Sequence, residues 1–538
     1  MVFISLWGLN SLYCEETRDN RMEIKRTTLT ILLLCLLIGF ALRFYSFDQK
    51  SLWVDEVYTF NDSRDDLNGQ IKYYTEKPTF LHPPLFFILT HLFYPFEKPE
   101  RELRIIPLIF GVLCIPMIYL LARQFAPSIA LSCALSLTFM TYHISLSQEG
   151  RSYTLNMFLG MAGLYFFMRH LKTLRFVFLP LAAFFLGILF YISYSSISFL
   201  FLFQILWLYE ANGNDKKIRL SSFFILNGFI FLVCLPWIQF IAFNYKPQPL
   251  TDQFQEKLTH PYWKVLYWML HDWTVHLPLT IVSSILLILL PIYAKYKRNA
   301  IALFVVIFLP VTGIYLSCKL LKITHFISSR YFINFLPIFI ISLYLSLNRV
   351  EIKFERLKRY FRPSLFFLIF FVASNLAILP LYYQSEKQDL RGLVNYLRGE
   401  LKAGDKIFDS TTAMGLMPGM LHYFGTYPKG RQYLYTVTIL SDNETIMTKS
   451  FTYQDNQFTI YHSRTCCNQY IKDGSRLWFM ADKTTAMKLL KDFPSFIPKG
   501  VFDGSFLNYY KFPFDASIYL FLLDPKSPNE KGIEIPIE

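Results

Sequence analysis

What most constrains this 538-residue chain is a recurrence. Apolar runs of about 18 or more residues return again and again between Leu29 and Tyr383, each long enough to cross a bilayer as a helix. Composition agrees, with 53% hydrophobic and 18% aromatic residues, outside the range of ordinary soluble domains. The chain therefore reads as a polytopic α-helical membrane protein. From Gln384 the pattern breaks, and residues 384–538 are polar, mixed and long enough for one soluble domain.

The net charge of +14 admits nucleic acid as a partner in principle, but the charges gather at the ends of apolar runs. That is the positive-inside pattern of a membrane protein, so the expected partner is the lipid bilayer and no nucleic acid is expected. The eight cysteines show no metal spacing; five lie in the apolar runs, and the adjacent pair Cys466-Cys467 bridges only with strain. Residues 1–20 are weakly patterned. Met22-Glu-Ile-Lys-Arg26, directly before the first apolar run, reads equally well as the true start and basic flank of a signal anchor, which would leave 1–21 untranslated.

Charge also orients the chain. Lys25 and Arg26 place the start of the first span, 27–47, on the cytoplasmic side. The next apolar segment is interrupted by Pro83-Pro84 and Pro95, leaving about ten helical residues, or about 15 Å, half the hydrocarbon thickness. It is expected to be an interfacial helix in the first outer loop. Later spans are predicted near 103–123, 127–147, 152–170, 175–192, 195–209, 220–243, 277–294, 300–318, 331–347 and 364–383. This gives about 11 spans, within a range of roughly 10 to 13. The basic clusters at Arg169, Lys172 and Arg175, at Lys216, Lys217 and Arg219, and at 349–362 then fall inside. The expected organisation is a cytoplasmic 1–26, a membrane domain over 27–383, and an extracytoplasmic α/β domain over 384–538. In the last, Leu393, Tyr396, Leu397 and Leu401 mark a helix, and strands are expected to begin at Ile407-Phe408 and to occupy 433–440, 457–461, 477–481 and 518–523.

This topology brings polar groups at the outer ends of several spans to one membrane face. Asp55 and Glu56 follow the first span, in Ser51-Leu-Trp-Val-Asp-Glu-Val-Tyr58. His82 heads the interfacial helix, Gln148, Glu149 and Arg151 join two spans, and Lys319, Lys322, His325 and Arg330 flank a later one. Acids at such a boundary pair, bind or do chemistry. Cations there can hold a phosphate and stabilise its charge as it leaves; a carboxylate can take a proton from an attacking hydroxyl; aromatics such as Trp53 and Tyr58 can stack on a sugar. Each residue alone has a plainer reading. Asp55 and Glu56 read as a solvated acid pair, Arg104, Arg151 and Arg330 as snorkelling helix ends, His82 as a helix cap, and the aromatics as an interfacial belt.

The ordered motifs Trp53-Val-Asp-Glu56, His82-Pro-Pro-Leu85, Arg104-Ile-Ile-Pro-Leu-Ile-Phe-Gly111 with Tyr119-Leu-Leu-Ala-Arg123, and Ser147-Gln-Glu-Gly-Arg-Ser-Tyr153 resemble those of C-type (GT-C) integral-membrane glycosyltransferases. The likeness is to the protein O-mannosyltransferase and aminoarabinose transferase families (glycosyltransferase family 39) and related bacterial lipopolysaccharide sugar transferases. Arg330-Tyr331 before an apolar span also fits. The resemblance covers about 30–380. It implies a polyprenyl-phosphate sugar donor, a hexosyl or pentosyl transfer with inversion, and an acceptor that is a lipid, glycan or protein. It implies a site on the periplasmic side of a bacterial inner membrane. It makes Asp55 the candidate general base, Glu56 a carboxylate positioning it or the acceptor, and Glu149 the second acidic position. It makes His82, Arg151, Arg330 and Lys322 candidates for the donor phosphate, and Trp53, Tyr58, Gln148 and Tyr331 for substrate contact. No metal or other cofactor is expected from the family, although three acids are the ligand type that Mg²⁺ or Mn²⁺ takes. The rival reading from another class is a transporter or flippase for a lipid-linked glycan or small molecule, which predicts internal repeats and broken mid-membrane helices.

Overall fold

Backbone groups inside hydrocarbon have no water to bond, so apolar runs satisfy their N–H and C=O groups internally as helices. In a computed structural model of the protein, the described residues are 26–76, 82–208, 216–246, 261–293, 297–320, 328–348, 362–411, 416–426, 436–439, 445–463, 474–504, 517–527 and 531–535. Among them, six helices are long and apolar enough to cross a membrane: Arg26–Phe44, Pro99–Phe125, Leu220–Asn244, Lys297–Leu316, Ser329–Leu347 and Pro363–Gln384. Two bent pairs, Pro127–Phe139 with Thr141–Ser147 (60°) and Tyr262–Thr274 with Leu277–Ile292 (107°), raise the number to eight. The reading of about 11 spans exceeds this for a definable reason. Tyr153–Thr173 is 21 residues long but carries Asn156, Arg169, His170 and Lys172, and Phe178–Tyr191 and Ser196–Leu208 are shorter than a full crossing.

The segments between the long helices are more helical than expected. Between the first two long helices lie Val54–Asp62, Leu67–Glu76 and Leu85–His91, where one interfacial helix was predicted. The last of these has seven residues, too few to cross. The stretch 244–276, read as a long outer loop, contains the helix Tyr262–Thr274. It buries Val265, Met269, Leu270 and Trp273 at helical spacing, while Lys264, His271 and Asp272 interrupt the apolar run.

The 60° break at Met140 leaves backbone groups without helical partners, and side chains from two other helices take them. Buried Arg43 donates to the carbonyls of Leu137 (2.9 Å) and Thr138 (3.2 Å), and its Nη2 lies 2.8 Å from His143 Nδ1. Asn375 accepts from the Thr141 N–H through Oδ1 (2.8 Å), and its carbonyl accepts from the Thr141 hydroxyl (2.8 Å). Close packing beside the break needs Gly111, where a Cβ would stand 2.2 Å from Ser147 Oγ. The break is thus built in, and the chain beyond it brings Gly150 and Arg151 to the Val54–Asp62 helix.

Beyond Gln384 the chain forms a seven-stranded mixed sheet in the order β2-β3-β4-β1-β5-β7-β6. The strands are β1 (Lys406–Asp409), β2 (Thr436–Ile439), β3 (Thr445–Tyr453), β4 (Asn456–His462), β5 (Leu477–Ala481), β6 (Ile497–Phe502) and β7 (Ile518–Leu523). The central β1 is parallel to both β4 and β5, and the outer pairs are antiparallel. One face is covered by Leu390–Glu400, through Leu390, Leu393, Val394 and Leu397, and by Leu416–Phe424; the other packs Phe408, Phe479 and Phe521 against Ala486 and Leu489. Strands β3 and β6 were not anticipated. The first mixes Thr, Lys and Ser with apolar residues, and the second carries Pro498 and Gly500 at a register shift, which only an edge strand tolerates.

Candidate active site

The segment after the first membrane helix starts the Val54–Asp62 helix, and its first turn holds both Asp55 and Glu56, where the helix dipole favours carboxylates. Their surroundings differ. Glu56 is 1% exposed, and its Oε1 accepts from Arg104 Nε (2.7 Å) and the Gly150 N–H (2.6 Å). Its Oε2 accepts from Arg104 Nη2 (2.7 Å) and the Trp53 N–H (3.3 Å). The remaining Arg104 donors go to the carbonyls of Phe47, Lys50 and Ser51, each at 3.0 Å, so all five guanidinium N–H groups are used. Gly150 is required for this approach, since a Cβ there would lie 3.2 Å from Glu56 Oε1 and 2.9 Å from Leu103 Cβ. Glu56 and Arg104 are a closed structural clamp that fixes the start of the helix. Arg104 is therefore no snorkelling anchor.

Asp55 is 26% exposed at its side chain, and its Oδ2 lies 3.4 Å from Arg330 Nη1. Arg151 reaches the same turn, donating to the Asp55 carbonyl (3.2 Å) and to Thr59 Oγ1 (3.0 Å). The Arg330 guanidinium also stands over the rings of Trp53 (4.9 Å), Tyr331 (5.7 Å) and Tyr153 (5.8 Å). Its neighbour Ser329 is held from behind, donating to Asp272 Oδ2 (2.5 Å) and bonded to the Tyr142 hydroxyl (2.8 Å). Glu149 Oε1 accepts from Lys387 Nζ (2.8 Å), and that ammonium lies 3.5 Å from the centre of the Trp53 ring. Trp53 is thus flanked by two cations, one facing Asp55 and one facing Glu149. Four buried polar atoms in this set have no hydrogen-bond partner among the described residues: Trp53 Nε1, Arg151 Nε, Arg330 Nε and Glu149 Oε2. Such atoms occur elsewhere among the described residues too, at Arg43 Nε and Trp273 Nε1 for example, but here four of them gather around the partly open Asp55 carboxylate.

The other predicted site residues fall variously. Gln148, expected to contact substrate, is engaged within the protein. Its Nε2 donates to the carbonyls of Arg43 (2.9 Å) and Tyr45 (2.7 Å), and its Oε1 accepts from the Tyr382 hydroxyl (2.8 Å), so it ties three helices together. Tyr58 is exposed one turn after Asp55, and Tyr331 is half-buried beside Arg330. His82 is exposed ahead of the Leu85–His91 helix, its ring edge-on to Phe87 at 6.2 Å. Lys322 and His325 lie outside the described residues. Among the described residues no three His, Cys, Asp or Glu side chains group at metal-ligating distance; Asp55, Glu56 and Glu149 each face a cation of their own. Lys387 was missed: it stands four residues past the predicted last span, 364–383, in the stretch assigned to the soluble domain.

Residues 81–240 match the family described as dolichyl-phosphate-mannose-protein mannosyltransferase. No curated protein matches the chain. Among solved structures it is similar to ArnT from Cupriavidus metallidurans in the apo state, at 9% identity over 94% of this chain and 100% of that one, with a TM-score of 0.51. ArnT of the same organism bound to undecaprenyl phosphate aligns at 10% identity over 94% and 99%, with a TM-score of 0.49. The archaeal oligosaccharyltransferase AglB from Archaeoglobus fulgidus, in complex with an inhibitory peptide and a dolichol-phosphate, aligns at 11% identity over 89% and 74%, with a TM-score of 0.46. Residues 81–240 thus match that family, and the chain as a whole shares the fold of apo ArnT.

Proposed function

We propose that the protein is an inverting glycosyltransferase that moves a hexose or pentose from a polyprenyl-phosphate carrier to a hydroxyl of a lipid, glycan or protein, on the extracytoplasmic face of a bacterial inner membrane. The observation that carries this reading is Asp55: a partly open carboxylate 3.4 Å from Arg330, beside Arg151, with both cations keeping a buried Nε that has no partner among the described residues. The matched family is itself described by a polyprenyl-type donor, dolichyl-phosphate-mannose. In this reading the basic flank at Lys25 and Arg26 lies inside, and an odd number of crossings carries both Asp55 and the 384–538 domain outside.

In the proposed reaction the acceptor hydroxyl gives its proton to Asp55 as its oxygen bonds to the anomeric carbon. The bond from that carbon to the phosphate oxygen breaks, and the electron pair leaves on the phosphate. Arg151 and Arg330 neutralise the charge that develops there. Glu56 acts one step back, locking the helix turn that presents Asp55. Trp53, Tyr58 and Tyr331 line the approach for the sugar.

The test is mass spectrometry of cell-envelope glycolipids and glycoproteins from a deletion strain with and without the restored gene. A defined sugar mass that vanishes and returns supports transfer and names the acceptor. An unchanged envelope across several growth conditions sinks the reading in favour of transport.

A further inference from the structure

Three consecutive residues past the last membrane helix behave differently. Glu386 Oε2 accepts from the Ser51 N–H (3.0 Å), and Gln388 Oε1 accepts from the Val54 N–H (3.0 Å). Arg391 adds a hydrogen bond from Nη2 to the Gln49 carbonyl (2.7 Å). From the sheet side, Asp503 accepts from the Glu386 N–H (3.0 Å), and the Tyr423 hydroxyl accepts from the Leu52 N–H (2.7 Å). Residues 386–391 are therefore sewn onto the backbone that leads into the Val54–Asp62 helix. Lys387, between the two clamps, goes instead to Glu149 and the face of Trp53.

The Lys387–Glu149 pair is incomplete in a way that Arg104–Glu56 is not. Both are largely buried, yet Glu149 Oε2 has no partner among the described residues, whereas both oxygens of Glu56 are engaged. A buried pair with unused hydrogen-bonding capacity is a weak stabiliser. Burial pushes the Lys387 ammonium below its usual range, and Glu149 opposes that shift. Across the Trp53 ring stands Arg330, already in reach of Asp55. An ammonium is a compact point charge suited to a phosphate oxygen.

We propose that Lys387 is a ligand of the carrier phosphate, so that the segment joining the last membrane helix to the sheet domain completes the active site. In this arrangement Glu149 holds the ammonium ready and shares it with the incoming phosphate, while Arg151 and Arg330 approach from the side of Asp55. The inference rests on the carrier-phosphate reading above.

The experiment compares binding of undecaprenyl phosphate and of undecaprenol, which lacks the phosphate, to the full-length protein in detergent. Wild type is expected to prefer the phosphate. Lys387→Gln loses about tenfold in affinity for the phosphate, about 1.4 kcal/mol, with the alcohol unchanged, and Lys387→Arg recovers most of it. A purely structural role would move both ligands together. Lys387→Gln with an intact preference overturns the inference while leaving the carrier reading in place. A wild type with no preference removes the carrier reading itself, and the role of Lys387 with it. Because Lys387→Gln leaves Glu149 buried and unpaired, the double variant Glu149→Gln/Lys387→Gln is measured beside it. There too, a lost preference supports the inference and a retained one overturns it.

Discussion

Asp55 and Glu56 are adjacent in the chain, share one helical turn, and live in opposite environments. Around Glu56 every donor of Arg104 and both carboxylate oxygens are engaged, and the backbone from Phe47 to Trp53 is wrapped around the pair. At Asp55 the carboxylate lies 3.4 Å from Arg330, the side chain is partly open, and neighbouring buried atoms lack partners among the described residues. The first region is closed by its own hydrogen bonds; the second keeps polar atoms that no described residue engages. Within one membrane-boundary cluster, hydrogen-bond completeness separates structure from site where residue type does not.

The largest effect that sharpens this contrast is on the closed side. Arg104→Met leaves Glu56 as a buried unpaired charge and is expected to destabilise the fold by about 3–5 kcal/mol. A thermal unfolding curve close to wild type would mean that the clamp does not hold the helix start. On the open side, Arg330→Gln should leave stability near wild type and weaken binding of a polyprenyl phosphate by about 10- to 100-fold, the worth of a charge-assisted hydrogen bond. A loss of folding with no specific loss of binding would make Arg330 another structural cation.

The smallest effect concerns the linker. Burial, and then the nearby Asp389, push the Glu386 carboxyl up to about 7 from 4.5. The folded state then holds a proton that the unfolded state has released between those values, so the contribution of Glu386 to stability falls as pH rises through that window. Glu386→Gln keeps an acceptor for the Ser51 N–H without the charge. Its melting temperature should match wild type near pH 4.5 and exceed it increasingly toward pH 7. Parallel curves across that range would place the titration elsewhere.

Much of this was readable from residues alone, and the reasons for the rest are physical. The long apolar runs, the short helix after Pro83-Pro84, and strands β5 and β7 follow from length and periodicity. The meeting of residues 53–56, 149–153 and 330–331 was expected from parity of spans and from the ordered motifs. What parity cannot convey is which polar groups satisfy one another. Arg104 looked like a helix-end anchor and is buried; Gln148 looked like a substrate contact and ties helices; Arg43, which nothing in the residues singled out, bonds the carbonyls freed at Met140. The bend at Met140 has no proline or glycine to announce it. Lys387 was hidden because the break in hydropathy at Gln384 assigned it to the soluble domain.

The central claim is that Asp55 is the base, and the direct measurement is turnover beside donor binding for purified wild type and Asp55→Asn, using the carrier-linked sugar identified from the envelope comparison. The account predicts that Asp55→Asn folds and binds donor as wild type does, and that transfer falls by about 10²- to 10⁴-fold. Normal turnover by the folded Asp55→Asn variant would contradict it and remove Asp55 from the mechanism.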